Sequence, residues 1–191
     1  VVTSEGVQMT LRDQPEPGVG GLASLELDTS PRLHVIGAGH VGRAVASLFQ
    51  QLDFAVTLYD DRPEVADEAA RAFGTQVCCV PYDRLGEWVT DDPDGWVVLV
   101  THGFRTDAVA LRALAGRSFR YLAMMGSRAK VRRLFDELRA DGVAADWLAG
   151  VRAPAGLAIG SHTPAEIAVS IAAEVIALRR ASAQSRPMRH S

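Results

Sequence analysis

Cysteine is scarce in this sequence: its 191 residues include only two, the adjacent Cys78 and Cys79. Neighbouring residues of an extended segment point to opposite faces, which argues against a disulfide framework and against a pair of metal ligands. We therefore expect both thiols to be core residues of a protein in a reducing compartment, and we predict no metal site.

Long apolar runs and a surplus of one charge are also lacking. No run approaches the roughly 18 apolar residues needed to span a bilayer, and the N-terminus lacks the charged-then-apolar pattern of a secretion signal. The 20 Lys and Arg residues nearly balance the 23 Asp and Glu residues, which gives a net charge of -3. We therefore expect a cytoplasmic protein that binds neither nucleic acid nor a membrane.

The two ends of the chain differ from its middle. Residues 1–31 are rich in glycine, proline and acidic residues without sustained periodicity, which predicts a linker or arm with a short strand at 24–27. Residues 32–180 are enough for one domain with a single core. The small polar residues of 181–191 predict a disordered tail. The first residue is Val1, and whether the chain is complete or a piece of a longer protein is left open.

Short apolar runs alternate with helical patterns in the middle of the chain. The runs are too short for helices and too apolar for a half-exposed sheet, so they predict buried parallel strands. They lie at 33–37, 55–59, 75–80, 96–100 and 119–125. This alternation predicts an α/β fold, a Rossmann-like open parallel sheet of about five to six strands with helices on both faces.

Three helices can be placed from the spacing of apolar residues and from a capping pattern. The last helix has Thr163 as its N-cap, Pro164 in its first turn and Glu166 three residues after the cap. The loop at 153–166 holds two glycines and two prolines and is expected to return rigidly towards the sheet, where it can line a site. The apolar faces predicted to be buried are Val41, Val45, Leu48 and Leu52, then Val131, Leu134, Phe135 and Leu138, and finally Ile167, Ile171, Val175 and Leu178.

The letters GAGHVG follow the first predicted strand directly. In a dinucleotide-binding turn, Gly37 permits the tight bend, Gly39 lets the backbone approach a pyrophosphate, and Gly42 allows close helix packing. The helix that begins there offers N–H groups and the positive end of its dipole to phosphates. Asp60, at the end of the second strand, is predicted to bind the ribose hydroxyls, which favours an NAD-type dinucleotide over NADP. Arg62 argues in the opposite direction, and a purely structural glycine turn is the alternative.

Further polar residues are predicted at the carboxyl ends of the strands, where open α/β sheets bind their ligands. His40 lies in the glycine turn, and Thr101 and His102 follow the fourth strand. His102 is the one candidate for catalysis, as a general acid or base, and a structural or ligand-orienting role is the alternative. Ser127 is expected to cap the following helix, and together with Arg128 it can form an anion site.

These pieces resemble, over about residues 32–180, the C-terminal Rossmann domain of the XdhC/CoxI family of xanthine dehydrogenase accessory proteins. The resemblance rests on GAGHVG, on YDDRPE at 59–64, on VTHG at 100–103, on MMGSRAKVRRLFDEL at 124–138, and on APAGLAIGSHTPAEIAVSIAAEVIALRR at 153–180. The last two blocks are far more specific than the glycine turn, because ordinary dehydrogenases do not carry them in this order.

The resemblance implies an accessory role in the maturation of a molybdenum hydroxylase. Members of the family are understood to bind the molybdenum cofactor, to help make its sulfurated form, and to hand it to the apoenzyme of xanthine dehydrogenase or a related hydroxylase. The implied ligand is an NAD-type dinucleotide or the molybdopterin cofactor itself. The implied lining of its crevice is Gly37, Gly39, His40, Gly42, Asp60, Thr101, His102, Ser127 and Arg128.

The sequence departs from the family pattern in two places. Gly103 stands where the family usually has an acidic residue, which weakens a metal or acid–base proposal at that point. Nothing in residues 1–31 matches the glycine-flanked cysteine of the family's N-terminal domain, so a separate cysteine-bearing domain is one expected partner. Assembly of this chain into homo-oligomers is left open.

Two other functions are compatible with the same residues: an NAD-dependent oxidoreductase, or a nucleotide-sensing regulatory module in which no bond is broken. Oxidoreductases usually need a second domain or long loops to hold their substrate, and only roughly 40 residues lie outside the nucleotide fold here. Turnover of NADH with carbonyl compounds would favour the oxidoreductase, whereas saturable binding without turnover would favour the accessory protein or the regulatory module.

Overall fold

A computed structural model of the protein describes residues 30–73 and 76–184. The strand predicted at 24–27 and residues 185–191 of the predicted tail lie outside the described residues.

The centre of the structure is a five-stranded sheet in which every neighbouring pair of strands is parallel. Its strands are β1 (Arg32–Ile36), β2 (Ala55–Asp60), β3 (Gln76–Cys79), β4 (Asp92–Leu99) and β5 (Phe119–Met124). Their order across the sheet is β3-β2-β1-β4-β5. The predicted parallel Rossmann-like sheet is therefore confirmed, and its strand order reverses between β1 and β4, which is where such sheets open a ligand crevice.

Helices cover both faces of the sheet, as predicted. They are α1 (His40–Gln50), α2 (Pro63–Phe73), a 3-10 helix (Tyr82–Glu87), α3 (Phe104–Leu114), α4 (Arg128–Ala140), α5 (Ala145–Ala149) and α6 (Pro164–Gln184). Helices α1, α2 and α6 pack on one face, and α3, α4, α5 and the 3-10 helix pack on the other. The predicted apolar faces point into these two cores, where Val45 and Leu134 are fully buried. None of the described helices is long and apolar enough to cross a membrane.

The prediction that the third strand is buried was wrong. Strand β3 is the outer strand on its side of the sheet and pairs only with β2. Cys78 is therefore only partly buried, and Cys79 is exposed instead of being a core residue. Three apolar residues in a row, as in Val-Cys-Cys, are too short a run to distinguish an edge strand from a central one.

The predicted start of the tail also needs correction. Helix α6 continues four residues beyond Arg180 and ends at Gln184. The residues concerned are Ala-Ser-Ala-Gln, and alanine and glutamine are good helix formers. Because no glycine or proline occurs before Pro187, nothing in this stretch stops the helix at residue 180.

The start of α6 has the predicted capping box. Thr163 Oγ1 accepts a hydrogen bond from the Glu166 N–H at 3.2 Å, and Glu166 Oε2 accepts one from the Thr163 N–H at 2.9 Å. The His162 N–H also donates to Glu166 Oε2, at 2.8 Å. These bonds fix the point where the loop at 153–166 turns into the helix that covers the first core.

We expect Thr163→Ala to lower the free energy of unfolding by about 1 kcal/mol, because the Glu166 N–H loses its acceptor at the helix start. The measurement is urea unfolding followed by circular dichroism. Thr163→Ser keeps the hydroxyl and should remain within about 0.5 kcal/mol of the wild type. Equal stability of the alanine and serine variants would show that the capping bond does not contribute.

Candidate functional site

The candidate site lies along the carboxyl edge of the sheet, on both sides of the point between β1 and β4 where the strand order reverses. Four turns meet at this edge, because parallel strands all end on the same side. They are 37–39 after β1, 60–62 after β2, 101–103 after β4 and 125–127 after β5. The structure therefore brings all the site residues predicted from the sequence to one edge, which we call the crevice.

Gly37 and Gly42 are required by the packing of α1 against the sheet. Gly37 has a φ of +110°, and a Cβ built on it would lie 2.7 Å from the carbonyl oxygen of Val100 on the neighbouring strand's end. A Cβ on Gly42 would lie 1.8 Å from the Gly37 carbonyl oxygen. No side chain fits at either position, so both glycines bring the start of α1 against the ends of β1 and β4.

Gly39 has a different environment. Its backbone is extended, with a φ of -69°, and apart from its chain neighbours no described residue has an atom within 4 Å of a Cβ built on it. A side chain at Gly39 would therefore project into open space directly in front of the first turn of α1. The N–H groups of that turn have no partner within the helix, and the turn contains no acidic residue. This combination leaves room and hydrogen-bond donors for an anion.

The peptide groups of Ala38 are held from two sides. Its N–H donates to Asp60 Oδ2 at 2.8 Å, and its carbonyl oxygen accepts from Arg43 Nε at 2.8 Å. Arg43 in turn forms an ion pair with Glu68 of α2, with 2.6 Å between Nη1 and Oε1. The glycine turn is thus attached to β2, α1 and α2, and its shape is fixed before any ligand binds.

The carboxylate of Asp60 is bonded to groups of the protein itself. Its side chain is fully buried, and its two oxygens accept hydrogen bonds from the Ala38 N–H, the Arg62 N–H and the Arg62 guanidinium, at 2.8 to 3.1 Å. A carboxylate has about four acceptor sites, and these four bonds use them. Burial by itself would raise the pKa of Asp60, but the hydrogen bonds from Arg62 and Ala38 outweigh it and lower the pKa.

Asp61, the next residue, is accessible where Asp60 is not. Its side chain is 31% exposed, and its Oδ1 lies 4.0 Å from Arg62 Nε. Asp61 borders a cavity of about 360 Å³ between the ends of β2 and β3 and the start of α3. The other lining residues are Pro81, Tyr82, Asp83, Arg105, Thr106 and Val109. The sequence pattern could not distinguish Asp60 from Asp61, because it gives the position of the strand end only to within a residue.

The remaining predicted residues divide into exposed and buried ones. His40, His102, Ser127 and Arg128 are exposed. Ser127 is the predicted N-cap of α4, and its Oγ accepts a hydrogen bond from the Lys130 N–H at 3.3 Å. Thr101 is buried, and its hydroxyl lies inside the wall of the crevice, against Asp107.

Sequence reasoning missed the polar cluster behind Thr101. Asp107 on α3 is buried, and its Oδ2 lies 2.5 Å from the ammonium of Lys130 on α4. One signal was available: Lys130 is the single lysine in a chain that uses arginine at its 19 other Lys and Arg positions. Its partner could not be identified from the sequence, because Asp107 lies 23 residues earlier on a different helix.

Two further expectations concern metals and the loop before α6. The described residues contain no group of three or more His, Cys, Asp and Glu side chains placed to hold a metal ion.

The loop at 153–166 does return to the sheet: the Ala155 N–H donates to the carbonyl oxygen of Met124 at the end of β5, at 2.9 Å. The Gly156 N–H donates to Glu174 of α6 at 2.9 Å, which joins the loop to that helix.

Comparison with known proteins gives the family. The sequence profile of the XdhC Rossmann domain matches residues 33–175. The chain belongs to the XdhC Rossmann domain family. The resemblance found in the sequence motifs is therefore confirmed, over almost the same range.

Individual relatives support this assignment. YqeB, an uncharacterized protein of Escherichia coli (strain K12), is 34% identical over 150 residues, which is 78% of this chain and 27% of YqeB. A probable xanthine dehydrogenase subunit of Bacillus subtilis (strain 168) is 28% identical over 155 residues, 81% of this chain and 44% of that protein. A crystal structure described as a xanthine dehydrogenase from Bacillus halodurans superposes with a TM-score of 0.71 at 27% identity, covering 84% of this chain and 48% of the other. This chain thus spans between about a quarter and a half of the length of these relatives.

We expect Asp60→Asn to lower the free energy of unfolding at neutral pH by about 1 to 3 kcal/mol, because it removes the charged acceptor of the Ala38 and Arg62 bonds. This loss is smaller than that expected for breaking a fully buried ion pair, because the Arg62 side chain is 34% exposed and solvent screens its charge. The pKa of Asp60 is lowered in the folded state, so its contribution is present above the unfolded pKa of roughly 3.9 and is lost as the pH falls through the folded pKa.

Urea unfolding at pH 7 and at progressively lower pH tests this expectation, with Asp61→Asn as the matched control. The difference between the wild type and Asp60→Asn should shrink as the pH falls. The exposed neighbour should change stability by less than about 0.5 kcal/mol. Equal losses in the two variants at pH 7 would contradict the role of Asp60 as the anchor of the turn.

Proposed function

We propose that this domain binds a dinucleotide in the crevice, as part of an accessory factor for a molybdenum hydroxylase of the xanthine dehydrogenase type. The ligand is an NAD-type dinucleotide or the dinucleotide form of the molybdopterin cofactor, which has a pyrophosphate in common with NAD. One observation carries the proposal: the space in front of Gly39 is open, whereas a Cβ on Gly37 or Gly42 meets backbone at 2.7 or 1.8 Å.

The pyrophosphate fits this opening for electrostatic reasons. The first turn of α1 supplies backbone N–H donors and the positive end of the helix dipole, and no acidic side chain lies in that turn. The nearby buried carboxylate of Asp60 is neutralised by Arg62, with 2.8 Å between Oδ1 and Nε. A diphosphate at Gly39 therefore meets donors and little repulsion. The exposed His40 is adjacent and can contact the same phosphates.

The adenosine half of an NAD-type ligand extends from Gly39 towards the ends of β2 and β3. The cavity of about 360 Å³ beside Asp61 lies on that side of the crevice. Asp61 then takes the role that the sequence pattern gave to Asp60, and accepts hydrogen bonds from the ribose hydroxyls. An exposed carboxylate at that position disfavours a 2′-phosphate, so NAD is preferred over NADP.

The accessory role rests on the family and on the names of its relatives. The Bacillus subtilis relative is named a probable subunit of xanthine dehydrogenase, and the Bacillus halodurans structure is described as a xanthine dehydrogenase. The proposed partner is therefore the apoenzyme of such a hydroxylase in the cytoplasm. A separate cysteine-bearing domain of the family is a second proposed partner, since this chain matches only part of each relative.

We expect Gly39→Val to abolish binding of NAD⁺ while the protein stays folded, because valine fills the space of the pyrophosphate and its Cβ meets no atom beyond the chain neighbours. The measurement is titration calorimetry of the full chain, with circular dichroism as the check of folding. Ala140→Val at the exposed far end of α4 is the matched control and should leave the affinity unchanged. Gly42→Val should unfold the protein, because its Cβ would overlap the Gly37 carbonyl.

Unchanged affinity of a folded Gly39→Val protein would remove the glycine turn from the ligand site. Turnover of NADH by the wild type with a panel of carbonyl compounds would favour an oxidoreductase over an accessory factor. Binding without turnover, with transfer of molybdenum cofactor to the apoenzyme, is the result expected for the proposed function.

We expect Asp61→Ala to weaken NAD⁺ binding roughly ten- to hundredfold, because hydrogen bonds to a charged acceptor contribute about 1.5 to 3 kcal/mol. NADP⁺ binding should change much less, since the variant also loses the charge that repels a 2′-phosphate. Competition or direct titration with both ligands measures the two effects. Unchanged NAD⁺ affinity in Asp61→Ala would exclude Asp61 as the ribose contact.

A further inference from the structure

The wall of the crevice on the β4 and β5 side contains a buried carboxylate with one cation. Asp107 is 1% exposed, and Lys130 Nζ lies 2.5 Å from its Oδ2. Apart from Lys130, no donor among the described residues forms a hydrogen bond with this oxygen. The other oxygen, Oδ1, lies 2.5 Å from the hydroxyl of Thr101. The charge of Asp107 is thus balanced by a single ammonium group.

Counting hydrogens shows that this cluster can hold one more proton. Thr101 Oγ1 lies 2.8 Å from Thr106 Oγ1, and Thr106 Oγ1 donates to the carbonyl oxygen of Gly103 at 2.9 Å. Together with the bond between Thr101 and Asp107, there are three contacts in a row, but the two threonines supply only two hydrogens. With a proton on Asp107 Oδ1, each of the three contacts has its own hydrogen and no atom needs to move.

Lys130 is placed so that it can leave Asp107 for a ligand. It lies in the first turn of α4, its side chain passes over Gly126, and 26% of that side chain is exposed. A Cβ on Gly126 would lie 3.3 Å from Lys130 Cδ, so the absence of a side chain there makes room for the lysine. The exposed Ser127 and Arg128 are its neighbours at the mouth of the crevice.

The choice of lysine at this position agrees with such a movement. Asp107 meets its cation through Oδ2 alone, while Oδ1 lies against the hydroxyl of Thr101. A guanidinium binds best through two donors to both oxygens of a carboxylate, whereas an ammonium is a compact charge that makes single contacts and moves on a flexible stem. Lys130 is the only lysine of the chain, which has arginine at its 19 other Lys and Arg positions.

Asp107 cannot stay charged when Lys130 leaves. An unpaired buried carboxylate costs several kcal/mol, so it takes up a proton instead. Burial raises the pKa of Asp107 even with Lys130 and Thr101 bonded to it, and these two bonds act in the opposite direction. The groups that face Asp107 are Lys130 from α4 and Thr101 and His102 from the end of β4, and the charge of His102 also favours the ionised form.

We propose that Lys130 is a ligand-binding residue of the crevice that exchanges its partner: an anionic group of the bound dinucleotide takes the ammonium from Asp107, and Asp107 takes one proton from solvent. The inference rests on the proposed function, because it assumes that the pyrophosphate bound at Gly39 reaches the β4 and β5 side of the crevice. Charge is conserved in the exchange. The ion pair of Lys130 with Asp107 becomes an ion pair of Lys130 with the ligand. The new proton stays on Asp107 Oδ1 and forms a hydrogen bond to Thr101 Oγ1.

The first test needs no ligand. In Lys130→Met the ammonium is gone, so the carboxyl of Asp107 should titrate about one to three pH units higher than in the wild type. The measurement is the ¹³C shift of the Asp107 carboxyl carbon, assigned by its loss in Asp107→Asn. Lys130→Arg keeps the charge and should titrate like the wild type. Equal midpoints in the wild type and Lys130→Met, with both proteins folded, would overturn the inference.

The second test uses NAD⁺ as the probe. With [¹³Cε]lysine the chain gives a single side-chain lysine signal, which should shift on addition of NAD⁺ in the wild type and not in Gly39→Val. Calorimetry in buffers of different ionisation enthalpy should show uptake of up to about one proton per NAD⁺. Asp107→Asn should abolish this uptake, whereas Asp136→Asn on the exposed face of α4 should change neither the uptake nor the affinity.

The outcomes separate the two proposals. Binding of NAD⁺ without proton uptake or without a shift of the lysine signal would overturn the exchange and leave the dinucleotide site intact. Proton uptake that persists in Asp107→Asn would also overturn it, since another group would be the acceptor. Absence of NAD⁺ binding in the wild type would overturn an NAD-type ligand and with it the exchange of Lys130 on NAD⁺ binding, whereas the ligand-free titration would still decide whether Asp107 takes up a proton when the ammonium is absent.

Discussion

The contact between the start of α1 and the end of β1 is the constraint on which the rest of the crevice depends. A Cβ on Gly42 would lie 1.8 Å from the Gly37 carbonyl oxygen, and a Cβ on Gly37 would lie 2.7 Å from the Val100 carbonyl oxygen. Backbone therefore packs on backbone where β1, β4 and α1 meet. Because α1 approaches so closely, its first turn reaches the edge of the sheet, and Gly39 is left facing open space.

This close approach is held by charges that lie outside the turn itself. Asp60 and Arg43 bind the N–H and the carbonyl oxygen of Ala38, at 2.8 Å each. Arg62 and Glu68 complete the two ion pairs. The turn is consequently preorganised, and a ligand that binds there does not have to order it first, which lowers the entropic cost of binding.

The parts of the structure that depend on local sequence could be predicted, and those that depend on distant partners could not. The glycine turn, the five parallel strands and the capping box at Thr163 follow from spacing over a few residues, and the structure has all of them. The exposed edge strand β3 could not be identified, because strand order is a property of the whole sheet. For the same reason the sequence placed an acid at the end of β2 but did not show that Asp60 is turned inward and Asp61 outward.

The two sides of the crevice differ in how their charges are balanced, and this difference follows from which partner can move. On the β2 side, Asp60 accepts four hydrogen bonds, and two of them come from the Arg62 guanidinium, which binds both carboxylate oxygens. Loss of one of these bonds leaves the other three in place. On the β4 side, Asp107 depends on one flexible ammonium. A ligand can therefore disturb the charge balance at Asp107 far more easily than at Asp60. Of the two carboxylates, Asp107 is accordingly the one that takes up a proton more readily, because the pKa of Asp60 is lowered while that of Asp107 is raised.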